Sequence, residues 1–144
     1  ADAGFVQPFL NRLNTTLTFG ATEYVGRRYS ERSPNTGAGG RTSTNVILST
    51  TRGELVIAPA TGKIALAEDL GGDYGITLVI DHGAGVRTIF YGLSDIDIKA
   101  GQQVKQGQTL ATCGKTTVVE MRIGTIPIDP IAVWRGQCNG LKYY

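Results

Sequence analysis

Residues 53–114 read GELVIAPATGKIALAEDLGGDYGITLVIDHGAGVRTIFYGLSDIDIKAGQQVKQGQTLATCG, and residues 119–130 read VEMRIGTIPIDP. Short β-branched runs alternate with polar residues at a period of two, and clusters of Gly separate them, which is the pattern of short strands joined by tight turns. The reading is a mostly β, single-domain antiparallel fold with few short helices. Working outward, the expected strands are Asn45–Ser49, Leu55–Ile57, Gly62–Ala67, Ile76–Ile80, Arg87–Tyr91, Thr109–Cys113 and Val118–Ile123, with one more upstream at Thr16–Phe19. Gly71-Gly72-Asp73, His82-Gly83-Ala84-Gly85, Gly101 and Gly107 sit between them, where a positive φ is cheap for Gly. Helical signals are scarce. Phe9, Leu10 and Leu13 have helical spacing over Pro8–Asn14, and Asp129-Pro130 suits an N-cap followed by Pro at the start of a short turn ending near Trp134. The stretch from Arg27 to Arg41, RRYSERSPNTGAGGR, has no apolar period and reads as a solvated loop.

The chain has 144 residues, 41% hydrophobic and 18% charged, which suits one domain and leaves no apolar run long enough to cross a bilayer as a helix. The net charge of +2 is too small for a nucleic-acid footprint. Residues 1–52 carry six basic and three acidic side chains, so the N-terminal third is the basic part. One His, His82, and two Cys, Cys113 and Cys138, cannot make a His-rich zinc site, which draws about four ligands from His, Cys, Asp and Glu. The two Cys lack C-x-x-C spacing, so a structural disulfide between Cys113 and Cys138 is expected, and with it an oxidising compartment such as a bacterial periplasm. No signal peptide opens the chain, so Ala1 reads as a processed or trimmed terminus, with a signal or a membrane anchor as the missing segment.

The order of motifs resembles the LytM or lysostaphin-type zinc endopeptidase family of peptidoglycan hydrolases. The matching pieces are the turn Val56–Lys63, Gly72-Asp73-Tyr74-Gly75 before a strand ending Ile80-Asp81-His82-Gly83, and the strand end Tyr91-Gly92-Leu93-Ser94. The paired K-x-G-Q signals at Lys99 and Lys105, Glu120-Met121-Arg122 and Pro127-Ile128-Asp129-Pro130 complete the order, with Thr18-Phe19-Gly20 similar to the family's S-x-F-G. The resemblance spans about residues 16–134. It implies a LytM-type β domain over 16–144, duplicated-hybrid-motif or barrel-sandwich-like, preceded by an extension or linker stub over 1–15.

The departures fall on the chemistry. Laying the family's motifs on this sequence places Ser43 and Ile47 at the metal-binding H-x-x-x-D positions, Val118 at the third ligand, and Gly92 and Thr116 at the two catalytic His positions. The resemblance therefore implies a pseudo-metallopeptidase with no zinc ligand retained, no cofactor and no catalytic residue. One His agrees, because a zinc-activated water needs three protein ligands around an open position. His82 lies in the I-D-H-G turn, where the family carries a His that does not bind metal, and it is read as a packing His. A Ser, His, Asp triad around it lacks a G-x-S-x-G elbow, and Asp81 is its own chain neighbour.

Alternation puts Val118, Glu120 and Arg122 on one face of the last strong strand and Val119, Met121 and Ile123 on the core face. The first set, with Phe90 and Tyr91, forms the candidate binding groove, Glu120 and Arg122 being read as a same-face salt bridge. Arg27, Arg28, Arg32 and Arg41 form a candidate basic loop, and the Tyr143-Tyr144 tail offers further aromatic surface. Two functions follow from the resemblance: an inactive envelope domain that regulates or scaffolds by binding a protein partner, such as a wall hydrolase or a component of a membrane-anchored complex, or a module that binds peptidoglycan without cutting it. A carrier-domain reading, from VIAPATGKI and VKQGQTL, lacks the modified Lys in a tight hairpin.

Overall fold

Period-two burial runs through the chain as the alternation requires. In the computed structural model, residues 4–9, 45–128 and 130–134 are described. They form eight strands and one short helix: β1 (Val46–Ser49), β2 (Leu55–Ile57), β3 (Gly62–Asp69), β4 (Ile76–Gly83), β5 (Val86–Ile96), β6 (Gln103–Val104), β7 (Thr109–Ile123), β8 (Ile126–Ile128) and α1 (Pro130–Trp134). The strands lie in one sheet in the order β1-β7-β5-β4-β3-β6, with β2 and β8 also paired to β7, and every pairing is antiparallel. The described residues thus form the mostly β, antiparallel fold that was expected.

Inward positions build the core. Val46 and Leu48 of β1, Ile64 of β3, Leu78 and Ile80 of β4, Phe90 of β5 and Val119 of β7 are all at most 1% exposed and belong to one cluster. Burying a side chain of this kind is worth about 1.5–3 kcal/mol, so these residues fix which face of each strand turns inward. A second cluster holds Val86, Met121, Ile128 and Val133, and joins β8 and α1 to the far end of β7.

Several elements differ from the sequence expectation. The strands expected at Thr109–Cys113 and Val118–Ile123 are one continuous β7, because its first half pairs β2 (Leu55 with Thr112) and its second half pairs β1 (Ser49 with Thr116). The polar stretch between them is held from across the sheet: the Thr50 hydroxyl donates to the Gly114 carbonyl at 2.6 Å and lies 3.0 Å from the hydroxyl of buried Thr117. Strands β6 and β8 were not expected, being too short to show a period. The helix expected over Pro8–Asn14 is corrected at its start, since Phe9 bridges Val56 of β2 as extended chain. Residues 10–14, the expected strand Thr16–Phe19 and the Tyr143-Tyr144 tail lie outside the described residues.

Residues 4–9 form a strap across one end of the sheet. The Ile57 amide donates to the Pro8 carbonyl at 2.7 Å, the Val6 amide to the Pro59 carbonyl at 2.9 Å, and the Gln106 side chain to the Gly4 carbonyl at 2.6 Å. Phe9 is 1% exposed and meets the Trp134 ring edge-on at 6.0 Å. The strap is part of the folded domain. Cys113 is buried in β7; Cys138 lies outside the described residues, so the expected disulfide remains an expectation.

Candidate site on the outer sheet face

The face of the sheet opposite the core is ordered in three rows that cross the strands. In the first row Ile47 of β1 is the Cα partner of Val118 of β7, and Val118 is the partner of Tyr91 of β5. The Tyr91 ring then meets Tyr74, in the turn between β3 and β4, at 5.2 Å. Ile47 is 39% and Tyr74 55% exposed, with Val118 and Tyr91 half-buried between them. In the second row Glu120 pairs with Ile89, Ile89 with Val79 and Val79 with Leu66. In the third, Arg122 pairs with Arg87, Arg87 with Asp81 and Asp81 with Lys63.

This geometry brings four of the five positions that the family resemblance singled out onto neighbouring strands. Ile47 and Val118 are directly opposite each other. Gly92 and Thr116 meet more closely still. Gly92 has φ +77°, and a Cβ built on it would stand 2.5 Å from the Thr116 carbonyl oxygen. A Cβ on Gly114 would likewise stand 2.5 Å from the Gly92 carbonyl oxygen. Here β5 and β7 are pressed backbone to backbone, and the register of the pair shifts between Tyr91 and Leu93 and again between Leu93 and Asp95. Ser43 lies outside the described residues, as do Arg27, Arg28, Arg32 and Arg41 of the expected basic loop.

Of the expected groove residues, Tyr91, Glu120 and Arg122 share the outer face with Val118. Phe90 does not: it is fully buried in the core opposite Val119, which corrects its assignment to the groove. Period-two alternation forbids adjacent Phe90 and Tyr91 from facing the same way. Val119 and Met121 take the core face as expected, and Ile123 is half-buried.

Glu120 and Arg122 form the expected same-face ion pair. Arg122 Nε donates to Glu120 Oε2 at 2.5 Å, and its Nη1 donates to the Thr125 carbonyl at 3.2 Å. Glu120 is only 7% exposed, whereas the Arg122 side chain keeps 33% of its surface in water. Replacing Arg122 by Met therefore leaves a buried carboxylate without its cation. The expected cost is about 1–2 kcal/mol, less than for a fully buried pair because water reaches the arginine. Urea denaturation measures it, and Glu120→Gln combined with Arg122→Met is expected to recover most of the loss. A single variant as stable as the parent would show that the pair contributes nothing.

Tyr91 has its phenol held above the ordinary value, first by burial, then by the charge of Glu120 and by Tyr74, with Arg122 opposing. The neutral hydroxyl is thus the form this face favours. His82 is on the other side. Its Nε2 lies 2.8 Å from the hydroxyl of Thr88, which is fully buried, its Nδ1 lies 3.0 Å from the Thr61 carbonyl, and Phe5 of the strap packs edge-on at 5.0 Å. A carbonyl only accepts, so in the neutral ring Nδ1 carries the proton and Nε2 accepts from Thr88.

The residues at the family's metal positions do not fit zinc. Ile47 and Val118 end in hydrocarbon, and the chain's one His is engaged on the core side; Gly92, at a catalytic position of the family, has no side chain at all. Among the described residues no three His, Cys, Asp or Glu side chains are grouped to hold a metal ion. What the face offers is an apolar and aromatic stripe beside a charged row.

The fold and the outer face are those of a single antiparallel β sheet whose central strands carry the candidate site. The profile of Peptidase family M23 matches residues 41–130, and the chain belongs to that family. An uncharacterized metalloprotease of Haemophilus influenzae is 29% identical over 141 residues, covering 87% of this chain and 30% of that protein. The cell division protein DipM of Caulobacter vibrioides is 34% identical over 95 residues, covering 57% and 16% respectively. The lipoprotein NlpD of Yersinia enterocolitica is 28% identical over 72 residues, covering 50% and 74%. The chain thus spans under a third of the first two relatives. Among solved structures, Csd3 of Helicobacter pylori superposes with a TM-score of 0.66 at 19% identity, over 91% of this chain and 35% of that one, a likeness of fold.

Proposed function

We propose that this domain binds without cutting: a catalytically inactive member of its family that works in the bacterial envelope by docking a protein partner on the outer sheet face, as regulator or scaffold of a cell-wall process. One observation carries the reading. Where the family's motifs put metal ligands and catalytic histidines, this chain puts Ile47, Val118, Gly92 and Thr116, brought together on neighbouring strands. Zinc's part in the enzymes, activating a water, needs three protein ligands around an open position, and these residues supply none. Relatives named for cell division and as a lipoprotein support an envelope, extracytoplasmic setting.

An apolar stripe with half-exposed tyrosines at its end suits protein docking, where Tyr and Arg supply binding hot spots. The test uses the 144-residue chain, purified wall material and a solubilised envelope extract. No turnover of wall is expected with or without added zinc, and one envelope protein is expected to be retained by the parent and lost by Val118→Asp. Wall turnover that a chelator abolishes would overturn the inactive reading. Retention of muropeptides alone, surviving the chelator, would make the face a wall-binding site instead.

A further inference from the structure

An antiparallel sheet with one face on the core ordinarily turns polar residues to the solvent on the other. Here the outward positions of the first two rows are Ile47, Val118, Tyr91, Ile89, Val79 and Leu66, with Glu120 the one charged member. Charge is gathered at the two ends. At one end Glu68 stands on the outer face of β3, and exposed Asp73 precedes Tyr74 in the turn. At the other end, the third row sets Lys63, Arg87 and Arg122 against Asp81, which lies 3.6 Å from Arg87. The irregularity between Ile64 and Leu66 brings Lys63 and Glu68, five positions apart on the same strand, onto one face, about 13–16 Å from each other. The face is therefore an apolar patch with an acidic end and a basic end.

We propose that the occupant of this face is a second copy of the chain, related by a two-fold axis. In such a contact the same patch meets itself, so residue i touches j and j touches i. Turning one copy by half a revolution lays each acidic end over the partner's basic end while the two apolar stripes meet in the middle. The face is complementary to itself in charge, and self-pairing covers an apolar row in which Ile47 is exposed and Val118, Tyr91, Ile89, Val79 and Leu66 are half-buried. The proposal rests on the reading of this face as a docking surface, and it adds self-association as the means of regulating it: a partner protein and a second copy compete for the same stripe.

The test is sedimentation equilibrium of the 144-residue chain with two exposed-residue variants. One carries Glu68→Lys and Asp73→Lys, the other Lys63→Glu and Arg87→Glu, and circular dichroism verifies that each is folded. The parent is expected to form a dimer that weakens with salt. Each variant alone should self-associate at least about tenfold more weakly, because like charges now face each other twice. An equimolar mixture of the two should form a heterodimer near the parent's strength, since both contacts become attractive again. A parent that stays monomeric at every concentration overturns the proposal, as does a dimer indifferent to both reversals or a mixture that fails to restore it. The docking reading is judged separately. A monomer that captures an envelope protein through Val118 ends the self-association alone, whereas a dimer that captures nothing ends the partner reading.

Discussion

Gly92→Ala is expected to destabilise the domain by about 3 kcal/mol, and Gly92→His by at least as much. Two costs combine. A side chain at φ +77° occupies left-handed backbone, which costs roughly 1–2 kcal/mol. The added Cβ must also displace the Thr116 carbonyl, 2.5 Å away, which belongs to the neighbouring strand rather than to a yielding side chain. Forcing atoms into a packed site adds about 1–3 kcal/mol. Gly53 separates the two terms, because it has φ +93° but nothing within 4 Å of an added Cβ. Gly53→Ala should therefore show the backbone cost alone. Urea denaturation of the three variants measures this, and a Gly92→Ala variant no worse than Gly53→Ala would show that β5 and β7 are not pressed together here. The consequence for the site is direct: placing the family's catalytic histidine at position 92 would disrupt the strand pair that must hold it, so the family's catalytic arrangement is not regained one residue at a time.

Much of this architecture was readable in advance, for reasons particular to each element. Strands β3, β4 and β5 announced themselves because each carries several alternations between turns rich in glycine. Strand β7 read as two because Lys115, Thr116 and Thr117 interrupt its apolar period, and what sustains it there comes from Thr50, more than sixty positions away in sequence. No local property of the segment reports that contact. Phe9 was assigned to a helix because Phe9, Leu10 and Leu13 have the right spacing, but propensity over so short a run is a weak prior. A slot against Val56 and Trp134 decided the matter instead.

The candidate site divides the same way. That a His-rich zinc site cannot be built here was legible from a single count, one histidine in the whole chain. The resemblance implied that Ile47 and Val118 belong to one site, whereas their direct pairing across the strands, with Tyr91 next in the row, is a property of sheet register. The closing of the gap between Gly92 and Thr116 was not legible, since a glycine in sequence reads as a turn as readily as a close approach. The same holds for the charged ends of the outer face. Lys63, Arg87 and Arg122 are scattered along the chain, and only the ladder places them in one row.

Phe9→Ala should cost about 3–5 kcal/mol, the range for removing a fully buried aromatic side chain. Its ring is 1% exposed and packs edge-on against Trp134, which α1 holds at the end of the sheet. The strap thus closes the core between β2 and α1. Against a total stability of about 5–15 kcal/mol for a domain of ordinary size, such a loss removes a large share of the folding free energy. Val6→Ala is the matched control, because Val6 lies on the same strap but is 39% exposed, and it should change stability by less than about 0.5 kcal/mol. Urea denaturation of the 144-residue chain with each substitution makes the comparison. Equal small effects at both positions would show that the strap lies on the surface without contributing to the core. A large effect at Phe9 alone makes the strap the residues through which anything attached upstream is coupled to this end of the sheet, where Phe5 meets His82 and the Pro8 carbonyl accepts from Ile57.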